Sequence, residues 1–335
     1  MEFERHLEDN LFTLYDNLSS GAYCHGPYHT FHIYDPKHRI ISKATVRDRV
    51  VHHLVFKELY RIFNPSFIFH SYSSRESKGT HLAVRNLARA LRAVSKNYTH
   101  PCFALKCDIR RFFDSVPHGK LMSIIQNKTK DSRFLRLTED ILGSFSIKPN
   151  CFGGGIKGIS HHPQPLPRSG RGQALGQEGI AKGLPIGNVT SQIFANIYLN
   201  ELDQFVKHGL KVKHYFRYAD DFVIVHENKD YLADILAKID QFLQTELILQ
   251  LHPRKVEIRP LSQGIDFLGY VILPHHIVLR TKTKWRMFRK LRQKYGVWEI
   301  GLIDEMGFGQ TMQSYLGMLK HCDGYDLENI LKNSF

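Results

Sequence analysis

Tyr218-Ala219-Asp220-Asp221 lies between two apolar, strand-forming runs, Tyr215-Phe216-Arg217 and Phe222-Val223-Ile224-Val225. This pattern predicts a β-hairpin over about 213–226 with two adjacent carboxylates at its tip. Like charges packed side by side are costly unless a cation neutralises them. A divalent metal does so, and Mg²⁺ favours one or two carboxylates together with substrate phosphates. A solvated Asp-Asp turn is the alternative reading, because turns favour Asp.

A second aspartate sharpens the first reading. In Phe103-Ala104-Leu105-Lys106-Cys107-Asp108-Ile109 a carboxylate interrupts an apolar strand, expected over 102–109. Alternation puts Phe103, Leu105, Cys107 and Ile109 on one face and Ala104, Lys106 and Asp108 on the other. A carboxylate in a strand needs a partner. If this strand lies beside the 213–226 hairpin, three carboxylates converge. That is the constellation for two metals roughly 3.5–4 Å apart, one activating a 3′-hydroxyl and one holding a leaving phosphate.

Around these strands, helical spacing is expected at 1–20 (Leu7, Leu11, Leu14, Leu18), 46–62 (Val50, Leu54, Phe56, Leu59) and 80–97. The last is basic and amphipathic, with Leu82, Val84, Leu87, Leu91 and Val94 apolar. Further helices are expected near 118–127, 132–146, 188–208 and 229–246, with helical segments after 280. A hairpin is expected at 28–42, turning at Asp35-Pro36-Lys37, and strands near 255–260 and 265–280. The order lacks a βαβα rhythm and indicates an α+β fold. Residues 149–182, rich in Gly and Pro, read as a long flexible loop.

Composition narrows the partners. The 335 residues hold 46 Lys and Arg against 32 Asp and Glu, a formal charge of +14. That favours nucleic acid first and a membrane surface second. No run of about 18 apolar residues predicts a membrane span, and Met1-Glu2-Phe3-Glu4-Arg5-His6 does not read as a secretory signal. Five cysteines with no C-x-x-C pair argue against a disulfide framework or a cysteine zinc site, and for a reducing, cytoplasmic compartment. Adjacent histidines such as His52-His53 point to opposite faces in a strand and make poor chelators.

Taken in order, these motifs resemble those of reverse transcriptases. The Asp108 strand with Phe112-Phe113-Asp114-Ser115-Val116-Pro117, and then Tyr218-Ala219-Asp220-Asp221, are similar to the family's palm motifs. Arg39-Ile40-Ile41-Ser42 with Arg47-Asp48-Arg49-Val50-Val51-His52-His53 resembles the fingers motif of bacterial members. Ser73-Ser74-Arg75-Glu76-Ser77-Lys78-Gly79-Thr80-His81 resembles the next block, and Gly264-Ile265-Asp266-Phe267-Leu268-Gly269-Tyr270 the primer-grip hairpin. Ser314-Tyr315-Leu316-Gly317-Met318-Leu319-Lys320-His321 resembles the end of a thumb. The resemblance implies a right-hand polymerase fold with an antiparallel palm sheet. It sets the N-terminal segment and fingers at 1–101, the palm at 102–275 and the thumb at 276–335.

One motif narrows the resemblance further. Gly183-Leu184-Pro185-Ile186-Gly187-Asn188-Val189-Thr190-Ser191-Gln192 stands where most members have Gln before the Gly and Pro at the end. Ile186 and Gln192 resemble the reverse transcriptases of diversity-generating retroelements, as does Phe194-Ala195-Asn196-Ile197-Tyr198-Leu199-Asn200-Glu201-Leu202-Asp203. That family copies a template-repeat RNA with errors at adenines, and the cDNA replaces a variable repeat in a target gene. An Ile cannot offer the hydrogen bonds of a Gln, so the geometry of the nascent pair is less tightly specified. Ordinary packing is the alternative role for Ile186.

The resemblance also assigns roles. Asp108, Ile109, Asp220 and Asp221 would hold two Mg²⁺. Phe113 would gate against a ribose 2′-hydroxyl, or else be a core aromatic. Arg39 and Arg47 would contact the triphosphate, with Ile186 and Gly187 beside the incoming dNTP, or else the arginines are surface residues. Lys255 would protonate the leaving pyrophosphate, or else be a solvated lysine. The acid-free run from Arg280 to Lys294 places Trp285, Phe288, Leu291 and Tyr295 on a packed helix face. Arg286, Arg289, Lys290 and Lys294 then track template–primer phosphates.

The implied partners are a template RNA, a primer and cDNA, dNTPs and a small basic accessory variability protein, with no membrane. No room is expected after the thumb for an endonuclease, ribonuclease H or maturase domain. Two rivals remain: another bacterial reverse transcriptase, of the retron, group II intron-like or phage-defence kind, and a non-catalytic RNA-binding assembly protein.

Overall fold

The computed structural model describes residues 2–35, 37–145, 181–302 and 304–334. The 149–182 stretch therefore lies outside the described residues except for Ala181 and Lys182, as does Cys151. Helices and antiparallel strands alternate irregularly, as an α+β fold should. In chain order they are α1 (Glu2–Arg5), α2 (Leu7–Ser20), β1 (His29–Ile33), β2 (Arg39–Lys43), α3 (Val46–Phe63), α4 (Thr80–Val94), β3 (Phe103–Asp108), α5 (Phe112–Ser115), α6 (His118–Gln126) and α7 (Ser132–Gly143). After the gap come α8 (Val189–Gln204), β4 (His214–Tyr218), β5 (Asp221–His226), α9 (Lys229–Thr245), β6 (Glu257–Pro260), β7 (Ile265–Phe267), β8 (Tyr270–Ile272), β9 (Ile277–Leu279), α10 (Thr281–Glu299), α11 (Glu305–Leu319) and α12 (Tyr325–Ser334).

Chain contacts divide the molecule into two units. The first holds the described residues within Met1–Ile68, Ile109–Gln204 and Phe242–Gln250. Here β1 and β2 pair as an antiparallel hairpin, with His29 opposite Lys43 and Ile33 opposite Arg39. Helix α8 packs against α3 and α6. Thr45 caps α3, accepting from the Asp48 amide, while its hydroxyl donates to the Asp48 carboxylate. The buried stripe of α3 is Val51, Val55, Leu59 and Phe63, whereas Leu54 is 54% exposed. This corrects the expected Val50–Leu54–Phe56 face. Positions 51, 55 and 59 make a straight i, i+4 row, and Val50 and Leu54 sit one residue off it.

The second unit comprises Phe69–Asp108, Phe205–Gln241 and Leu251–Phe335. Its four-stranded sheet has the order β4-β5-β3-β6, with all neighbours antiparallel. Tyr72, Val84, Leu87, Leu91, Ala104, Phe216, Val223 and Val225 join residues of β7–β9 and α10–α12 in one buried cluster. The expected 265–280 strand resolves into the three-stranded meander β7-β8-β9. Positive φ angles at Leu268, Gly269 and His275 break it at its turns.

Helix α10 buries Thr283, Met287 and Leu291. Trp285, expected on the packed face, is 71% exposed. It lies about 200° around the helix from Thr283, on the side away from that i, i+4 row. Phe288 and Tyr295 flank the cluster, as expected. Among the described residues, no helix is long and apolar enough to cross a membrane, and Cys24, Cys102, Cys107 and Cys322 are free thiols.

Candidate active site

The sheet register brings the expected carboxylates together within the second unit. β3 and β5 pair along their lengths, and the last pair is Asp108 opposite Asp221. β4 and β5 close on Tyr218 opposite Asp221, so Ala219 and Asp220 form the turn. Ala219 adopts φ +53, a conformation uncommon outside glycine.

Arg217 is what holds this turn, although in the sequence it reads as part of an apolar run. Its side chain is fully buried. One guanidinium nitrogen donates to the Ala219 carbonyl at 3.1 Å and the other to the Ser71 hydroxyl at 3.0 Å. The backbone of Arg217 also exchanges hydrogen bonds with the His70–Tyr72 segment. Arg75 reaches back to the Ser71 carbonyl at 3.0 Å. The available signal was an arginine inside a strand of aromatic residues, where a charge must be fully partnered.

The neighbouring carboxylates raise the cost of ionising Asp221. Burial, then the charges of Asp220 and Asp108, push the Asp221 carboxyl up to about 7, and a hydrogen bond with Asp108 adds to the shift. Lys106 opposes it. Lys106 itself lies 3.9 Å from Asp266 of β7, whose other oxygen takes Arg280 Nε at 2.8 Å. The β7–β9 meander is thereby tied electrostatically to β3. Lys255 Nζ lies 2.5 Å from Asp108 Oδ2, and the His252 amide donates to the Asp108 carbonyl.

Among the described residues, no three His, Cys, Asp or Glu side chains form a ready-made metal cage. Even so, the donor set suits a hard divalent cation. It is all oxygen, crowded, and short of positive charge enough to raise the affinity of Asp221 for a proton.

This crowding has a stability signature. The folded state keeps the Asp221 proton up to about pH 7, while the unfolded carboxyl releases it near 3.8. The folded state binds more protons in that window, so the contribution is present at low pH and lost as pH rises through about 7. In EDTA, Asp221→Asn is therefore expected to gain thermal stability relative to wild type as pH rises from about 4 to about 8. A divalent cation should narrow the gap at the upper end by stabilising wild type. A pH-independent gap in thermal melts would contradict the raised proton affinity of Asp221.

The remaining candidates belong to the first unit. The Ser42 amide donates to the Ile186 carbonyl at 2.8 Å. Asn188 accepts from the Ala44 amide at 3.0 Å and donates to the Ser42 carbonyl at 2.7 Å. The Ile186–Gly187 turn is thus fastened to the strand that carries Arg39. Gly187 has φ +121, and a Cβ there would come within 2.7 Å of Ile41; the turn accepts only glycine. Ser191 Oγ donates to the Pro185 carbonyl, and Gln192 is exposed.

Ile186 and Phe113 are half-buried, whereas Phe112 is in the core. The Phe113 carbonyl accepts the Leu184 amide at 2.6 Å, which ties it to the same loop. Arg39 is exposed on the hairpin, but Arg47 turns inward. Its guanidinium donates to the Cys24 carbonyl, sits 3.8 Å from Asp48 and lies over the Tyr23 ring. His52 bridges Thr190 Oγ1 at 2.6 Å and His25 at 2.9 Å. Burial, then the neighbouring His25, pushes it down to about 4, so it stays neutral. In the second unit, Arg289, Lys290 and Lys294 are exposed on α10 and Arg286 is half-buried.

Known proteins share the family and the fold. Residues 34–272 match the family model described as reverse transcriptase (RNA-dependent DNA polymerase). YkfC of Escherichia coli K12 is 25% identical over 296 residues, covering 78% of this chain and 70% of YkfC. The group II intron-encoded protein LtrA of Lactococcus lactis is 23% identical over 330 residues, covering 79% of this chain and 50% of LtrA. A chain of apo telomerase from Candida tropicalis shares the fold, with a TM-score of 0.51 at 12% identity, over 79% of this chain and 59% of that one. The chain thus spans about half the length of LtrA and a larger share of YkfC. A family match across well over half of the chain, which includes the strands that pair Asp108 with Asp221, means that this protein belongs to the reverse transcriptases, the RNA-directed DNA polymerases.

Proposed function

We propose that this chain copies a template-repeat RNA into cDNA with errors at adenines, for the mutagenic retrohoming of a diversity-generating retroelement. Family membership implies dependence on a divalent metal, and we assign it as two Mg²⁺. Asp108, Asp220 and Asp221, with Ile109 alongside, would hold the ions, which when bound would activate the primer 3′-hydroxyl and steady the leaving pyrophosphate. A bound cation would favour the ionised form of Asp221, the carboxylate that burial and its neighbours otherwise keep protonated. Lys255, paired with Asp108, would protonate the leaving pyrophosphate. Phe113 excludes the 2′-hydroxyl. Arg39 receives the triphosphate, while Arg47 braces the segment around Tyr23 and Cys24. Arg286, Arg289, Lys290 and Lys294 follow the template–primer backbone. A small basic accessory protein completes the machinery.

The subtype rests on one observation. The backbone of Ile186 is bonded to Ser42, so its half-buried side chain is what distinguishes this turn from one carrying Gln. Gln at this place could hydrogen-bond and fix the forming pair; Ile only packs. A lost hydrogen bond is worth about 0.5–1.5 kcal/mol, or roughly three- to tenfold in selectivity. Ile186→Gln is therefore expected to lower misincorporation opposite template adenine by about that factor, with smaller changes opposite other bases. Sequencing cDNA made by both proteins from the same template RNA and accessory protein checks this. Equal error spectra would favour the second reading, a group II intron-like enzyme without adenine-directed errors, toward which the likeness to LtrA points.

A further inference from the structure

We propose that the outward face of α4 is a second RNA-binding surface, one that grips the phosphate backbone of a folded RNA helix independently of any primer terminus. The inward face of α4 is committed: Ala83, Val84, Leu87, Ala90 and Leu91 are buried, and the helix packs on β4, β5 and β8. That packing fixes the rotation of the helix and so the direction of its other face. Arg85, Arg89 and Arg92 recur at i, i+4 and i+7 and are all exposed. At 100° per residue they fall within about 60° of arc and extend about 10 Å along the axis. Lys96, just beyond the helix end, joins Arg89, Arg92, Ala93 and Asn97 around a cleft of about 360 Å³.

This stripe is uncompensated. No acidic residue occurs between Glu76 and Asp108. Arg89 and Arg92 bond only to neutral amides, at Asn86 (3.4 Å) and Asn97 (2.9 Å). Among the described residues, no carboxylate pairs with Arg85, Arg89, Arg92 or Lys96. The amides orient the guanidinium groups without spending their charge. A solvated helix face normally interleaves both signs, and an acid-free row of arginines is matched by a row of phosphates.

The surroundings select RNA over a membrane. A membrane-surface helix needs bulky apolar residues beside its basic ones. Here Leu82 and Ala88 are turned into the core, leaving Ala93 as the exposed apolar neighbour. The chemistry is backbone recognition by Arg and Lys, blind to sequence, and it suits a stem in a long template RNA.

The test uses the full chain and two probes: a 3′-blocked RNA hairpin, and oligo(dT) annealed to poly(rA). In the triple variant Arg85→Gln, Arg89→Gln, Arg92→Gln, hairpin affinity at physiological salt should fall at least about tenfold. The slope of log K against log salt should shrink by about 2–3. Extension of oligo(dT) should stay within about twofold, because the stripe acts away from the primer end. The triple Lys variant, which keeps the charges, should retain most hairpin binding and verifies that the fold is intact. Unchanged hairpin affinity and salt slope in the Gln variant would overturn the proposal. So would an equal loss of oligo(dT) extension, which would assign the stripe to the primer–template groove. Loss of binding to phosphatidylserine vesicles with hairpin binding intact would instead make it a lipid site. If wild type itself failed to extend oligo(dT), the polymerase assignment would fall, not this one.

Discussion

Asp220→Asn should reduce deoxynucleotide incorporation on an RNA template by about a thousandfold or more, on the order of 4 kcal/mol of lost transition-state stabilisation. Asn matches Asp in size, so the two-residue turn between β4 and β5 survives. What disappears is one charge of the three carboxylates gathered at the ends of β3 and β5. On the proposed assignment that charge would contribute to cation affinity and to alignment of the reacting groups, and Asp108 and Asp221 alone would recover neither. Circular dichroism and binding of the RNA template should remain close to wild type. Primer extension with labelled dNTPs, over a range of Mg²⁺ concentrations, gives the answer. Near-normal extension by the folded variant would remove Asp220 from the catalytic set.

Arg217→Met should be the most damaging change away from the carboxylates. Met fills much of the volume but leaves the Ala219 carbonyl and the Ser71 hydroxyl without their donor. Each unsatisfied buried group costs about 1–3 kcal/mol, so a loss of about 2–4 kcal/mol in denaturant melts is expected. The strained Ala219 backbone then relaxes, and Asp220 is no longer held. Below the melting temperature, the Mg²⁺ concentration for half-maximal incorporation should therefore rise about tenfold, a readout that simple destabilisation does not move. Arg217→Lys, able to replace one of the two donors, should recover part of both effects. An unchanged metal dependence in the folded Met variant would reduce Arg217 to a packing residue.

Asp220 and Arg217 differ in how legible they are in the sequence. The hairpin around Asp220 and the strand at Asp108 could be read from alternation alone, because each is short, apolar and bounded by polar residues. Their pairing could not: no local pattern says that Asp108 stands opposite Asp221, and only the sheet order β4-β5-β3 makes it so. Arg217 was hidden because a single charge in an aromatic strand reads as an interruption until its partners, in the His70–Tyr72 segment and at the Ala219 carbonyl, are known. The helix faces failed in a related way. In α3 and α10 the apolar residues outnumber the buried positions, and tertiary packing chose Val51 and Val55 over Val50 and Leu54, and Met287 over Trp285. The fingers candidates divided for the same reason. Arg39 and Arg47 look alike in sequence, but only Arg47 has a carbonyl, a carboxylate and a ring close enough to take it inward. Near Ile186 the motif itself was plain, and the fastening of its turn to Ser42 and Ala44 was not.

The proposed chemistry is cation-dependent, RNA-templated DNA synthesis at the carboxylates of β3 and β5. The decisive measurement is incorporation of labelled dNTPs by the purified chain on a primed RNA template, with Mg²⁺ supplied, removed by EDTA and restored. The expected product is template-complementary DNA that requires the cation and is lost in Asp108→Asn, Asp220→Asn and Asp221→Asn alike. Synthesis that persists in EDTA, or in any of these three variants while folded, would contradict it.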